Sequence, residues 1–149
     1  MSNTIIILSG GFDPVHKGHI RMFEAAKSFP SRVIVGLNSD DWLRKKKGEP
    51  FMVWEERKEI LESIKYIDFV YRFDDSDGSA CDLIRIVKKE NLDVDDIKIY
   101  FGNGGDRTSD NSPEVDYCSK NAVNVLWGLG GEKVQSSSDL IKSFKEIDE

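Results

Sequence analysis

The sequence is poor in cysteine, histidine and proline, and it has no long apolar segment. Its 149 residues include two cysteines, Cys81 and Cys118, which lie far apart and provide no disulfide framework, so we expect reduced thiols. No stretch approaches the ~20 apolar residues that span a bilayer, and the first residues lack the basic segment and apolar core of a signal peptide. We therefore expect a cytoplasmic protein without membrane insertion.

Positive charge is also in deficit. The chain has 21 lysines and arginines against 27 aspartates and glutamates, for a net charge of -6. This balance argues against a general nucleic-acid binder, which needs a basic face. Hydrophobic residues make up 39% and charged residues 32%, as in ordinary soluble globular proteins. Because we find no repeat, linker or low-complexity tract, we predict one domain over residues 1–149.

Apolar, strand-like runs alternate with amphipathic, helix-like runs along the chain. Strands are predicted at 4–9, 32–37, 69–72, 98–101 and 124–127, and helices at 17–28, 53–64, 80–90, 113–121 and from the serines at 136–138 onward. This alternation is typical of a parallel sheet covered by helices on both faces. The predicted fold class is α/β, with a Rossmann-like, doubly wound, five-stranded parallel sheet.

The most informative segment is residues 10–19, GGFDPVHKGH, which follows the first predicted strand directly. Gly10 and Gly11 lack a Cβ, so the chain can turn sharply there and a ligand can approach the peptide N–H groups closely. The helix predicted from Lys17 adds unpaired N–H groups and the positive end of its dipole. The segment therefore predicts a site for a polyphosphate.

Two histidines occupy the start of that helix. His16 and His19 are three residues apart, so they lie on one helical face and can hydrogen-bond the same group, while Gly18 leaves room for it. A zinc site is the competing interpretation. The other potential ligands, Cys81 and Cys118, have no paired cysteine or further histidine nearby, so their spacing does not fit a closed zinc site.

The segment GGFDPVHKGH resembles the signature of the cytidylyltransferase-like nucleotidyltransferases, in which glycine, a small residue, Phe-Asp and His-x-Gly-His follow one another. That family includes glycerol-3-phosphate and phosphocholine cytidylyltransferases and the adenylyltransferase that makes ADP-heptose. The resemblance implies the nucleotidyltransferase fold of the HxGH type, with His16 and His19 as catalytic residues. It also implies that the nucleotide contacts Gly10, Gly11, Phe12, Asp13 and Gly18.

A second glycine-rich segment, residues 102–106, follows the fourth predicted strand. In a doubly wound sheet the ligand lies beyond the carboxyl ends of the strands, where the strand order reverses, so both glycine-rich segments are predicted to meet across one cleft. In the resembling family a Gly-Asp pair in this stretch approaches the base and ribose. Gly105 and Asp106 are the matching positions.

The densest positive charge is the run Arg-Lys-Lys-Lys-Gly at residues 44–48, which we predict to be a mobile loop. Displacement of pyrophosphate needs positive groups where charge develops, and such a loop can supply them on closure. The resemblance implies a lysine that reaches the α-phosphate and the acceptor. We assign that role to Lys46, with Arg44 and Lys47 as alternatives.

The segment at residues 54–68 resembles the family's glutamate-arginine helix and the junction that follows it. The resemblance implies that Arg57 holds the acceptor or the cleft, and its planar guanidinium suits phosphate.

Near the C-terminus, Ser136, Ser137 and Ser138 precede an apolar helix, where they serve as an N-cap and can bind phosphate. In the resembling family, Ser-Thr-Thr at this place contacts the β- and γ-phosphates. Lys133 matches a basic residue that precedes the family's motif.

No residue is arranged as an activated nucleophile, so the sequence predicts direct in-line attack by the acceptor's own phosphate on the α-phosphorus. Mg²⁺ is the expected cofactor; it is carried by the phosphates and needs no carboxylate cage, so no metal ligand is assigned. Asp13 either assists indirectly or braces its turn. The substrates we predict are CTP, slightly favoured, or ATP, together with a phosphorylated small alcohol or sugar.

Two other interpretations stay open. One is a phosphopantetheine or nicotinamide-mononucleotide adenylyltransferase, which shares the paired histidines but fits the glutamate-arginine helix and the serines less well. The other is a non-catalytic nucleotide-binding sensor, which the presence of both histidines disfavours. A fragment of a class I aminoacyl-tRNA synthetase is disfavoured, because the chain is short and acidic. The resemblance also implies a homodimer.

Overall fold

A computed structural model of the chain describes residues 3–104 and 112–130. In chain order its elements are β1 (Thr4–Gly10), α1 (Lys17–Ser28), β2 (Arg32–Leu37), α2 (Asp40–Lys47), α3 (Trp54–Glu62), β3 (Phe69–Tyr71), α4 (Cys81–Glu90), β4 (Lys98–Gly104), α5 (Pro113–Lys120) and β5 (Asn124–Leu129). The strands form one parallel sheet in the order β3-β2-β1-β4-β5. The predicted α/β fold is confirmed.

The central strand β1 supplies side chains to two cores, one on each face of the sheet. Successive residues of a strand point to opposite faces, so Ile5 and Ile7 pack on one side and Ile6 and Leu8 on the other. Helices α4 and α5 cover the first face through Leu83, Ile84, Val87 and Cys118. Helices α1 and α3 cover the second through Phe23, Ala26, Trp54 and Leu61. The continuous apolar run of β1 therefore reflects burial on both faces.

The strand order reverses beside β1. The chain builds β2 and β3 outward on one side of β1, and β4 and β5 on the other. Ile6 of β1 consequently lies between Val33 of β2 and Tyr100 of β4. In open parallel sheets the crevice at such a switch point, beyond the carboxyl ends of the strands, is where ligands bind. In this protein it opens above Gly10 and Gly102.

The prediction of a loop over residues 44–48 is wrong, because most of this run belongs to helix α2. Ser39 caps the helix by accepting a hydrogen bond from the Trp42 N–H at 3.1 Å. Asp40 and Asp41 lie in its first turn and the four basic residues in its last turn, an arrangement that complements the helix dipole. Gly48 ends it at φ 105°. The helix buries Leu43 but no other residue, so hydrophobic periodicity did not reveal it.

The other predicted elements match the observed ones within two residues, except that β4 extends to Gly104 rather than ending at residue 101. Residues 105–111 and 131–149 lie outside the described residues. The predicted last helix and the assignments to Gly105, Asp106, Lys133, Ser136, Ser137 and Ser138 fall there. The prediction of a single domain stays a prediction.

Gly36 of β2 is predicted to be intolerant of a side chain. A Cβ at this position would overlap a methyl group of Leu83 and lie 3.0 Å from its Cγ, and Leu83 is fully buried. Overpacking of this kind costs about 1–3 kcal/mol, so Gly36→Ala is expected to lower the free energy of unfolding by that amount. Chemical denaturation measures it.

The variant Leu83→Ala provides the control. Alone it leaves a cavity and costs about 2–5 kcal/mol, but combined with Gly36→Ala the cost is expected to be less than the sum, since the new methyl group occupies vacated space. Strictly additive costs would contradict this packing of Gly36 against Leu83.

Candidate active site

The two histidines of the predicted phosphate site form one stacked unit at the start of α1. His16 is the N-cap, and its Nδ1 accepts a hydrogen bond from the Gly18 N–H at 3.1 Å. The His19 Nδ1 accepts one from the His16 N–H at 3.2 Å. The ring centroids lie 3.8 Å apart at an interplanar angle of 20°. The histidines thus satisfy helix N-terminal donors in the reciprocal manner of a capping box.

This capping determines which ring nitrogen can donate. A nitrogen that accepts a hydrogen bond carries no proton, so a neutral imidazole bound through Nδ1 carries its proton on Nε2. His16 and His19 therefore each have an Nε2–H donor. Two such donors beside the positive end of a helix dipole can bind an anion without first taking up a proton.

Burial keeps His19 neutral. Desolvation, with a smaller contribution from neighbouring His16, lowers the pKa of His19 to about 3. Phe12 contributes to this environment, since its ring meets the His19 ring edge-on at 4.9 Å and also packs against Phe23 at 5.4 Å. Phe12 is itself buried. The structure therefore places the Phe12 side chain as a support of His19.

The glycines of the motif are required by close packing. A Cβ at Gly10 would lie 2.9 Å from the Phe12 ring, and one at Gly11 would lie 2.8 Å from Leu43 of α2. The left-handed backbone conformation falls on Phe12, at φ 48°, rather than on either glycine. The expectation that glycine conformational freedom makes this turn is therefore wrong. The two glycines are required because the Phe12 and Leu43 side chains pack closely against them.

Asp13 braces the segment that follows α2. Its carboxylate is buried and accepts hydrogen bonds from the Phe51 and Met52 N–H groups, both at 2.7 Å. Lys47 donates to the Asp13 carbonyl at 2.6 Å and lies 3.2 Å from its carboxylate. Of the two roles predicted for Asp13, these contacts favour the brace, although the bonds reach residues 51–52 rather than its own turn.

A cavity of about 440 Å³ lies at the switch point between β1 and β4. Its lining includes Gly10 of β1, Lys46 and Trp42 of α2, and Gly102 of β4. Among the described residues, His16, His19, Asp13 and Arg57 do not line it. Met22, three residues after His19 on α1, does. The structure thus brings Gly10 and Lys46 together in the cavity and places the histidines on the adjoining helix start.

Of the three candidates in the basic run, Lys46 alone lines this cavity within the described part of the chain. Its ammonium lies 4.5 Å from the centroid of the Trp42 ring. Arg44 instead pairs with Asp41 at 2.7 Å and Glu49 at 3.3 Å on the surface. Lys47 is held by Asp13. The geometry therefore favours Lys46 for contact with a ligand.

Arg57 is fully buried and donates to the protein itself. Its guanidinium donates to the carbonyls of Met52 at 2.9 Å, Gly11 at 2.9 Å and Asn38 at 2.8 Å, and to the Asp40 carboxylate at 2.5 Å. Four donor bonds to protein leave little capacity for an acceptor phosphate. Of the two implied roles, these contacts favour holding the cleft.

Sequence reasoning missed Asp75, which orients the start of α2. This buried carboxylate accepts hydrogen bonds from the Asn38 side chain at 2.9 Å, the Ser39 N–H at 2.8 Å and the Ser39 hydroxyl at 2.7 Å. Ser39 is the N-cap of the helix that carries Lys46. Asp75 lies in an aspartate- and serine-rich segment typical of turns, so its local sequence held no signal of this contact.

Within residues 3–104 and 112–130, no three histidine, cysteine or acidic side chains converge in a way that could hold a metal ion. The described residues therefore offer no set of protein ligands for Mg²⁺. The requirement for Mg²⁺ stays a prediction. No helix in these ranges is long and apolar enough to cross a membrane.

Comparison with known proteins identifies the family. The model of the cytidylyltransferase-like family matches residues 7–142, and the chain belongs to that family. The prediction of this family is confirmed.

Individual relatives cover less of the chain. It is 36% identical over 90 residues to the bifunctional protein HldE of Sulfurimonas denitrificans, and 40% identical over 73 residues to that of Geobacter sulfurreducens. These matches cover 59% and 48% of this chain but 18% and 15% of the relatives. A lipopolysaccharide core biosynthesis protein from Thermoplasma volcanium has the same fold, with a TM-score of 0.62 at 19% identity over 83% of this chain and 94% of its own.

Replacement of Arg57 tests its role as a structural clamp. Arg57→Met leaves three carbonyls and the Asp40 carboxylate without their donor, so the free energy of unfolding is expected to fall by about 3 kcal/mol or more. The matched control is Lys58→Met, which removes an exposed pair with Glu62 at 3.5 Å and should cost less than about 1 kcal/mol. Equal losses in the two variants, measured by denaturation, would show that Arg57 is not a clamp.

The lowered pKa of His19 predicts a loss of stability in mild acid. The unfolded chain takes up a proton at His19 near its ordinary pKa of 6.5, whereas the folded chain does so only near 3. Stability from His19 is therefore present above pH 6.5 and is lost progressively as the pH falls towards 3. In His19→Asn, whose amide oxygen can replace the Nδ1 acceptor, the melting temperature should fall less between pH 7.5 and 5. Identical pH slopes in the two proteins would overturn this explanation.

Proposed function

We propose that this protein transfers a nucleoside monophosphate from CTP or ATP to the phosphate of a small phosphorylated alcohol or sugar and releases pyrophosphate. The observation that carries the proposal is the stacked pair of neutral histidines, whose Nδ1 atoms are tied to the backbone at the start of α1. In this proposal the two Nε2–H groups donate to an anion bound at the start of α1.

The proposed chemical step forms one P–O bond and breaks another. An oxygen of the acceptor phosphate attacks the α-phosphorus, and the bond from that phosphorus to the bridging oxygen of the β-phosphate breaks. The bond electrons leave with pyrophosphate, on which negative charge develops. No enzyme nucleophile is needed, because the acceptor phosphate is ionised at neutral pH.

The chain's own residues would stabilise that charge. The Nε2–H groups of His16 and His19 donate to phosphate oxygens, and the N-terminus of α1 adds its dipole. Lys46, which lines the cavity from α2, supplies positive charge. Donors held in place by capping and packing do not have to reorganise as the charge develops, which is the source of electrostatic catalysis.

Mg²⁺, when bound, would be held by the phosphates of the nucleotide and would neutralise part of their negative charge. A homodimer and a cytoplasmic location rest on resemblance and composition, and both stay predictions. Light scattering of the purified protein tests the first.

Pyrophosphate release tests the reaction. The purified protein is assayed with magnesium, with CTP, ATP, UTP and GTP each crossed against glycerol-3-phosphate, phosphocholine and heptose-1-phosphate. Release with one pair is the expected result and identifies both base and acceptor. For that pair, His16→Ala and His19→Ala should each lower kcat by about 100-fold or more, since each removes a donor to the developing charge.

The alternatives give different outcomes. Unchanged kcat in both histidine variants would reject these residues as catalytic. Triphosphate binding without turnover for any pair would contradict the proposed reaction with these acceptors and would favour the non-catalytic sensor.

A further inference from the structure

Trp42 lies on α2, the helix that also carries Lys46, at the edge of the cavity. Its ring lines the cavity, and the Lys46 ammonium lies over its face at 4.5 Å from the centroid. The two residues are four apart on α2, so they share one helical face. An ammonium over an indole face is attracted by the ring quadrupole, and tryptophan is the strongest such partner.

Hydrogen bonds hold both the backbone of Trp42 and the edge of its ring. The Trp42 N–H donates to the Ser39 hydroxyl at 3.1 Å, and that hydroxyl donates to the buried Asp75 carboxylate at 2.7 Å. The indole Nε1–H reaches the Gly78 carbonyl at 3.5 Å. The segment that follows β3 therefore holds both the start of α2 and the edge of the indole. A lysine has a long flexible side chain, so a fixed surface for its head group limits where the charge can lie.

We propose that Trp42 is a positioning residue that holds the Lys46 ammonium at the cavity, where it binds the triphosphate. This inference rests on the proposed function only in assigning a triphosphate to the cavity. Trp42 acts through Lys46 and not by contact with the nucleotide. Removal of the indole should therefore weaken triphosphate binding only in a protein that still has Lys46.

A double-mutant cycle tests this coupling. Binding of inorganic triphosphate is measured by calorimetry for the wild type, Trp42→Leu, Lys46→Ala and the double variant. Loss of an exposed cation–π contact predicts about two- to fivefold weaker binding for Trp42→Leu. In the Lys46→Ala background the same substitution should leave the affinity unchanged. Trp42→Phe, which keeps an aromatic face, should recover part of the loss.

Lys45→Ala is the matched control, because Lys45 is an exposed lysine of the same helix that does not line the cavity. In that background Trp42→Leu should still weaken binding two- to fivefold or so. Thermal unfolding checks that each variant is folded. If Trp42→Leu does not fold, the cycle is run with Trp42→Met, which keeps an apolar side chain without a π face.

Three outcomes would overturn the proposal. Equal weakening with and without Lys46 would mean that Trp42 contacts the ligand directly. Unchanged binding in Trp42→Leu, or no measurable binding to the wild type, would also reject it. Pyrophosphate release is recorded separately: coupled binding without turnover would reject the proposed reaction and keep this role for Trp42, whereas turnover with uncoupled binding would reject the role of Trp42 alone.

Discussion

The buried guanidinium of Arg57 connects four segments at the carboxyl end of the sheet. It binds the carbonyl of Gly11 after β1, the carbonyl of Asn38 after β2, the carboxylate of Asp40 in α2 and the carbonyl of Met52 before α3. The three carbonyls belong to residues outside the strands, and a buried carbonyl without a donor is costly. The guanidinium supplies several donors in one rigid plane. The shape of the cleft therefore depends on this side chain.

Helix α2 is held at both ends by parts of the chain distant in sequence. At its start, Asp75 binds Ser39, and Arg57 pairs with Asp40. At its end, Lys47 binds Asp13. A helix of eight residues is too short to be stable alone in water, so these contacts are what keep Lys46 beside the cavity. Charged side chains thus stabilise the element that supplies positive charge to the site.

The histidines of α1 join stability to chemistry in the same way. Their Nδ1 atoms cap the helix and their Nε2 atoms carry the protons. Burial and the Phe12 ring keep His19 neutral. Two protonated histidines would repel each other, and burial of their charges would be costly. Neutral rings avoid both costs and still carry Nε2–H donors. Fold and candidate site therefore use the same two side chains.

The sequence by itself determined the sheet, most helices and the position of the histidines, because hydrophobic periodicity and the GGFDPVHKGH spacing are local properties of the chain. It did not reveal α2, whose polar composition hides its single buried residue, Leu43. Only the tertiary structure decided which basic residue lines the cavity, and it alone revealed the contacts of Asp75 with Ser39 and of the Trp42 indole with Gly78. These contacts join segments far apart in sequence, and no local pattern encodes them.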